Sequence, residues 1–220
     1  MKKVENKITE LFDLLDKWRY FPAYQLERRA DIFFALYLKQ IFSSKYGITI
    51  DYIIPEFPLR IGEIIDKEIN ESFKIDYLCV SQVQQKVYLV ELKTDTLSRR
   101  SKQDWYLGKA REINTAGMVN GLIKIFKATN QKNKYMNLLH EVEQIGWITI
   151  DNQQIINACE PYDIQIVYIQ PEKHPDDTEE VITFDDIISV LKTNTDDVSG
   201  RFIQSLARWK TNPSLLRPND

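Results

Sequence analysis

The sequence predicts a mixed α/β fold in which a central sheet is flanked by helices and extra helices follow toward the C-terminus. Apolar residues recur at helical spacing over residues 24 to 46. Two segments rich in β-branched and aromatic residues, 73–81 and 86–94, are joined by a polar turn, and a last apolar run, 164–170, ends at Pro171. Helical and extended segments therefore alternate along the chain, which is typical of a sheet covered by helices.

The N-terminal third begins with two helices and a strand. Residues 5–18 form a predicted amphipathic helix, whose apolar face consists of Ile8, Leu11, Phe12 and Leu15. The second helix, 24–46, stops at Gly47. Glu27 lies about 50° from the centre of its apolar stripe, whereas Arg28 and Arg29 point away, because successive residues are about 100° apart. A carboxylate is therefore aimed toward the interior of the protein.

The remaining elements follow from changes in periodicity. Residues 48–60 are proline-bounded and β-branched, which favours an edge strand, and a β-hairpin comes next. Helices are expected at about 101–113 and within 118–144, with breaks near Gly117 and Asn130, and a short strand at 146–150. Two late helices, 184–192 and 198–209, have Thr183 and Asp197 as predicted N-caps.

Composition restricts the class of protein. The chain has 220 residues, 43% of them hydrophobic and 28% charged, so a single domain over residues 1–212 with a tail at 213–220 is expected. Its seven glycines are few for a turn-rich sandwich or repeat fold. The net charge of −3 gives no general affinity for DNA, so any binding of nucleic acid must be local.

Neither a membrane nor an oxidising compartment is indicated. No apolar run approaches the roughly 20 residues of a membrane span, and the charged start of the chain is not a secretion signal. The two cysteines, Cys79 and Cys159, lie far apart in apolar surroundings and are predicted to be buried thiols. We therefore expect a cytoplasmic protein with no membrane partner.

The predicted hairpin carries the residues that suggest chemistry. Glu91 and Lys93 are two apart on a strand and so share a face. If the turn is centred between Val83 and Gln84, Asp76 falls directly opposite Glu91, with Cβ atoms roughly 5 Å apart. Carboxylates at that distance repel one another unless a cation or a proton lies between them. Oxygen ligands without a His or Cys cluster suit Mg²⁺ or Mn²⁺.

A simpler interpretation stays open. Lys93 could form a solvated cross-strand ion pair with either carboxylate, worth under about 1 kcal/mol. The Glu-x-Lys string alone is weak evidence, because Glu5-Asn6-Lys7 repeats it on a predicted helix, where such residues diverge. Only the second copy lies on a strand and follows a partner strand with an inward-facing aspartate.

The segment IDYLCVSQVQQKVYLVELKTD resembles the active-site hairpin of the PD-(D/E)XK nuclease superfamily. The resemblance covers about residues 24–111 and one later strand, and implies a restriction-endonuclease-like core of order α-β-β-β-α-β. Ile75 stands where the family name has a proline. Gln103 and Tyr106 are three apart, whereas a glutamine and a tyrosine four apart mark some exonuclease branches.

The resemblance also implies a role for each matching residue. Asp76 and Glu91 would ligate Mg²⁺ or Mn²⁺, with the Leu92 carbonyl as a further oxygen. Lys93 would contact the scissile phosphate or the attacking water. Glu27 matches an acidic residue that many members carry on the first core helix.

A basic stretch follows the motif and could contact flanking phosphates. The candidate nucleic-acid-binding residues are Arg99, Arg100, Lys102, Gln103 and Lys109. The basic residues of the stretch, Arg99, Arg100, Lys102, Lys109 and Arg111, could equally well form an ordinary solvated helix face. Trp105 and Tyr106 beside them could stack on bases, although packing into the core is the favoured use.

The sequence therefore predicts a metal-dependent nuclease that hydrolyses phosphodiester bonds, with DNA as the expected substrate. The alternative is a catalytically inactive nuclease-fold module that binds nucleic acid or a protein partner. The choice between DNA and RNA, between endo and exo cleavage, and between a monomer and a homodimer stays open.

Overall fold

The computed structural model describes residues 7–95, 101–152 and 154–210. Helices and strands alternate along these ranges, as the periodicity predicts. Their order is α1 (Lys7–Trp18), α2 (Leu26–Tyr46), β1 (Tyr52–Arg60), α3 (Ile61–Ile65), β2 (Ser72–Ser81), β3 (Lys86–Leu92), α4 (Ser101–Ala128), α5 (Lys132–Gln144), β4 (Ile148–Asp151), β5 (Gln154–Asn157), β6 (Asp163–Gln170), β7 (Glu180–Thr183), α6 (Phe184–Leu191) and α7 (Asp197–Trp209).

Five of the strands form one mixed sheet in the order β1-β2-β3-β6-β7. The pairs β1–β2 and β2–β3 are antiparallel, whereas β6 and β7 are parallel. The strands β4 and β5 make a separate antiparallel pair. The predicted mixed α/β class, with a mixed sheet flanked by helices, is confirmed. Within the described ranges, no helix combines the length and the apolar character that crossing a bilayer requires.

The chain divides into two compact units. The first is drawn from Met1–Thr49, Leu92–Arg99 and Val167–Asp220, and the second from Ile50–Glu91 and Arg100–Ile166. Each unit therefore contains several stretches of sequence. The predicted tail, residues 213–220, lies outside the described residues.

The first unit is organised around Phe202 of α7. Five aromatic rings have centroids 5.0 to 6.2 Å from that of Phe202, namely Phe12, Phe33, Phe34, Tyr37 and Trp209. Helix α1 packs beside α7, where the indole Nε1 of Trp209 donates to Asp16 at 2.8 Å and Arg201 pairs with Asp13 at 2.6 Å. The packed rings remove a large apolar area from water and stabilise the helices of this unit.

The second unit contains the β1–β2–β3 meander and the helix α4, which packs against β1. Helix α4 is interrupted at Asn114, whose φ of 56° is left-handed. The Asn114 side chain accepts a hydrogen bond from Gly117 N at 3.2 Å and so caps the second half of the helix. The predicted break near Gly117 therefore lies at Asn114, because asparagine tolerates a positive φ and offers a capping oxygen.

Short elements and single positions differ from the predictions. The N-cap of α7 is Asp196, not Asp197, and its side chain accepts from Ser199 N at 2.9 Å. Strand β7, which begins at Glu180, has no counterpart among the predicted elements. Trp105, for which core packing was favoured, is 45% exposed, because it lies on the outer side of the first turns of α4. Thr183 is an N-cap as predicted.

Candidate functional site

The hairpin formed by β2 and β3 has the predicted register. Tyr77 pairs with Val90, Leu78 with Leu89 and Ser81 with Lys86, around a turn at residues 82–85. The recorded pairs end at Tyr77 with Val90, and Asp76 and Glu91 are the next residues of their strands. If the register continues for one more step, the two carboxylates would project from the same face of the hairpin.

Glu91 is completely buried, whereas Asp76 is partly exposed. The apolar residues Leu89, Val90 and Leu92, which lie next to Glu91 in the strand, drive β3 into the interior. A carboxylate without access to water is costly unless hydrogen bonds and opposite charge compensate. One such bond comes from helix α4, where Gln103 Nε2 donates to Glu91 Oε2. The α4 amide thereby fixes the orientation of the buried carboxylate.

Lys93 and Glu27 are brought together in the first unit. The Nζ of Lys93 lies 3.8 Å from Glu27 Oε1, and the lysine side chain is only 5% exposed. Its backbone N–H donates to Ile169 O of β6 at 2.7 Å, which fixes the chain just beyond β3. Glu27 is in the first turn of α2, where its negative charge also suits the helix dipole.

The ammonium group of Lys93 has a second partner nearby. Its Nζ donates to the carbonyl oxygen of Leu92 at 2.8 Å. This oxygen is the one that the resemblance would give to a metal ion. In the structure it accepts from the lysine, so the ammonium is held between a carbonyl dipole and the Glu27 carboxylate.

The helix that carries Glu27 has the predicted orientation. Glu27 is intermediate in exposure, while Arg28 and Arg29 are exposed and Ala30 is buried. The predicted inward aim of Glu27 on an apolar helix face is confirmed. The 3.6-residue period was sufficient to place this carboxylate, because helix α2 is long and regular.

The donor set is compatible with a hard cation. In the described part of the chain, no group of three or more His, Cys, Asp or Glu side chains is arranged to hold a metal ion. The pair Asp76 and Glu91 supplies two carboxylates at successive strands, and Mg²⁺ is commonly held by one or two carboxylates while keeping several waters. Oxygen donors of this type are those that magnesium and manganese prefer, whereas zinc sites usually include His or Cys.

The predicted nucleic-acid-binding residues have different surroundings. Arg99 and Arg100 lie outside the described residues. Lys102 is exposed, with its Nζ 5.7 Å from the ring centroid of Tyr106, and Lys109 pairs with Glu112 one turn later. Gln103 contacts Glu91, a contact that sequence reasoning did not anticipate. No local sequence pattern indicates this contact, because the two residues lie on different elements.

Tyr106 packs against β2, whereas Trp105 is exposed to solvent. The Tyr106 ring stacks on Phe73 of β2 with centroids 5.3 Å apart and an interplanar angle of 23°. Trp105 makes an edge contact with Tyr106 at 5.2 Å and is otherwise open to solvent. The expected core packing is wrong for the tryptophan, and the tyrosine is only partly buried, against the equally partly buried Phe73.

Comparison with known proteins adds no relative. No protein-family model matches the chain, and no curated protein and no solved structure matches it.

Proposed function

We propose that the chain is a metal-dependent nuclease of the PD-(D/E)XK type that hydrolyses phosphodiester bonds, with DNA as its substrate. One observation carries the proposal: Glu91 is fully buried on β3 and held by Gln103, one position beyond the last recorded pair of the β2–β3 ladder, Tyr77 with Val90, and a buried lysine follows two residues later. Acidic and basic side chains are almost never fully buried unless they are paired. Such departures from an apolar pattern are expected at functional sites.

The order of elements supports the same proposal. Helix α2, strands β1, β2 and β3, helix α4 and strand β6 follow one another in the order α-β-β-β-α-β. Helix α5 and the pair β4–β5 are inserted before β6, and α3 lies between β1 and β2. A restriction-endonuclease-like core with such insertions is part of what we propose.

Each side chain has a defined task in this proposal. Asp76 and Glu91 would hold Mg²⁺ or Mn²⁺, with the Leu92 carbonyl as a further oxygen. A bound divalent ion supplies positive charge next to a phosphate oxygen and lowers the pKa of bound water. Lys93 provides a point charge for the scissile phosphate. Glu27 keeps the ammonium of Lys93 in place, and Gln103 keeps the carboxylate of Glu91 in place.

Cleavage by purified variants tests the proposal. The full chain is incubated with end-labelled DNA and either Mg²⁺ or Mn²⁺, and D76N, E91Q and K93M are compared with the wild type. We expect each variant to cleave at least about a hundredfold more slowly, since each loses a group that stabilises the transition state. The matched control is K7M, which removes the lysine of the other Glu-x-Lys string, an exposed residue on α1.

Metal binding gives a second readout. Calorimetric titration of Mn²⁺ into the wild type and E91Q should show a site that the variant loses. Wild-type cleavage by both D76N and K93M would remove the mechanism. Binding of nucleic acid without metal dependence or cleavage would instead favour the inactive module, and cleavage of RNA alone would change the substrate.

A further inference from the structure

Aromatic side chains are exposed where α1 connects to α2. Trp18, Tyr20 and Phe21 are 37%, 51% and 50% exposed, within four consecutive positions. Large apolar side chains exposed one at a time are ordinary, but a cluster of them marks an interaction surface. The cluster directly precedes the helix that carries Glu27.

A groove of about 610 Å³ opens at this place in the first unit. One part of it, which we name the aromatic–arginine groove, is lined by Trp18, Tyr24, Arg28 and Arg29. The rings of Trp18 and Tyr24 meet edge to face at 6.1 Å, and the guanidinium carbon of Arg29 lies 5.3 Å from the centroid of Tyr24. Two flat rings and two flat cations are therefore gathered on one concave surface. The rest of the lining consists of Gln25, Phe33 and the leucine and isoleucine side chains of α1 and α2.

The connection is held in place by its backbone. Phe21 N donates to Trp18 O at 2.8 Å, and Tyr24 N donates to Phe21 O at 3.2 Å. Arg19 is turned inward, where its Nη1 donates to Arg208 O at 2.9 Å. Turn hydrogen bonds and this anchor reduce the entropy lost when a ligand is bound.

The charge of the groove selects the kind of ligand. The residues that line it include two arginines and no acidic residue, although the whole chain has a net charge of −3. Arg28 and Arg29 lie in the first turn of α2, whose dipole adds positive potential. A ligand with negative charges and flat apolar groups fits this combination best.

We infer that the aromatic–arginine groove binds a single-stranded segment of nucleic acid, with bases against Trp18 and Tyr24 and phosphates against Arg28 and Arg29. Stacking on aromatic rings requires unpaired bases, and arginines contact the backbone beside them. The two arginines in the lining favour a phosphate-bearing strand over an apolar peptide. The inference rests on the proposed function, because such a strand would be the substrate.

Binding in the absence of metal tests the inference separately from cleavage. The full chain is titrated into fluorescein-labelled oligothymidine of about 12 nucleotides in EDTA, and anisotropy is read against a duplex of equal length. We expect the single strand to bind more tightly. W18L and the double variant R28A/R29A should each weaken this binding at least about tenfold, and the double variant should lower the salt slope by about 1.4.

Two control variants test whether a substitution outside the groove also weakens binding. L36A removes a side chain on α2 that is 62% exposed and does not line the groove, and K192A removes an exposed cation after α6. Both should bind oligothymidine as the wild type does. Thermal unfolding of W18L and R28A/R29A should match the wild type, which excludes a folding defect.

Three outcomes would overturn the inference: equal affinity for single strand and duplex, wild-type affinity in W18L and R28A/R29A, or binding of an amphipathic peptide but not of oligothymidine. In each of these cases, metal-dependent cleavage that is abolished in K93M would still support the proposed catalytic site. Conversely, wild-type cleavage by K93M with Trp18-dependent strand binding would retain the groove and remove the proposed catalytic site.

Discussion

The carboxylate of Glu27 lies 3.8 Å from the ammonium group of Lys93, although one residue begins a helix and the other follows a strand. The lysine is almost wholly buried, so water screens the interaction weakly. Together with the Leu92 carbonyl, Glu27 determines where this ammonium points.

Replacing Glu27 should affect both stability and catalysis. E27Q keeps the size of the side chain but leaves the buried ammonium of Lys93 without its opposite charge, so we expect the Tm to fall. At a temperature well below that Tm, we expect kcat for DNA cleavage to fall about tenfold while KM stays within error. The matched control is E10Q, which removes a carboxylate that pairs with Lys7 at the surface of α1. Wild-type kcat in E27Q at that temperature would indicate a structural role alone.

The hydrogen bond from Gln103 should stabilise the buried carboxylate of Glu91. Q103A removes the amide that donates to Glu91 Oε2, and the loss of a donor to a buried carboxylate costs about 1 to 3 kcal/mol. We expect that decrease in the free energy of unfolding by urea titration, together with weaker Mn²⁺ binding. Q84A, in the exposed hairpin turn, is the control. Unchanged stability and metal affinity in Q103A would contradict this role.

Gly62 is required by a close approach of the backbone. A Cβ at this position would lie 2.4 Å from Lys67 O and 2.5 Å from Ile69 O, which are backbone atoms that cannot simply turn aside. We expect G62A to lower the free energy of unfolding by about 2 to 3 kcal/mol. G108A is the control, because nothing lies within 4 Å of its Cβ and alanine favours the helix by up to about 1 kcal/mol. Equal effects of the two changes would be evidence against the steric explanation.

The capping box of α6 makes stability depend on pH. Burial alone would raise the pKa of Asp186, but hydrogen bonds from Lys45 and Thr183 outweigh it and lower the pKa below its ordinary value. A carboxyl whose pKa is lowered by folding stabilises the protein above its unfolded pKa of about 3.9, and this contribution is lost as pH falls through the folded value.

The capping variants should show this dependence. We expect T183A to cost about 1 kcal/mol at pH 7 through loss of the cap, and D186N to be less stable than the wild type at pH 7. The difference between D186N and the wild type should shrink below about pH 4, as measured by urea unfolding at several pH values. D176N, in an exposed loop, should show no such difference. A gap that stays constant into acid would rule out Asp186 as the titrating group.

The hairpin could be predicted in detail because its signals are local. Alternating β-branched residues define each strand, and the polar turn between them fixes the register, so Tyr77 opposite Val90 follows from the sequence. The inward aim of Glu27 follows from helical periodicity in the same way. These two predictions supplied the candidate site residues.

Features that depend on distant contacts could not be predicted. The strand β7 has four residues, too few to show a period, and exists because it pairs with β6. The contact between Gln103 and Glu91 joins α4 to β3, so no spacing in the sequence encodes it. The exposed rings near Trp18 were also missed, because aromatic residues between two amphipathic helices look like core.

Neither native cysteine presents a reactive thiol at the protein surface. Cys79 is fully buried, and Cys159 is buried beside Thr115, where desolvation raises its pKa to about 11. Only thiolates attack maleimides and similar reagents at a useful rate, so neither sulfur should compete for a label under native conditions. A cysteine introduced at an exposed site such as Val83, which is 85% exposed, would then carry a fluorophore at one known place. The wild-type chain thus already serves as the background for single-site labelling.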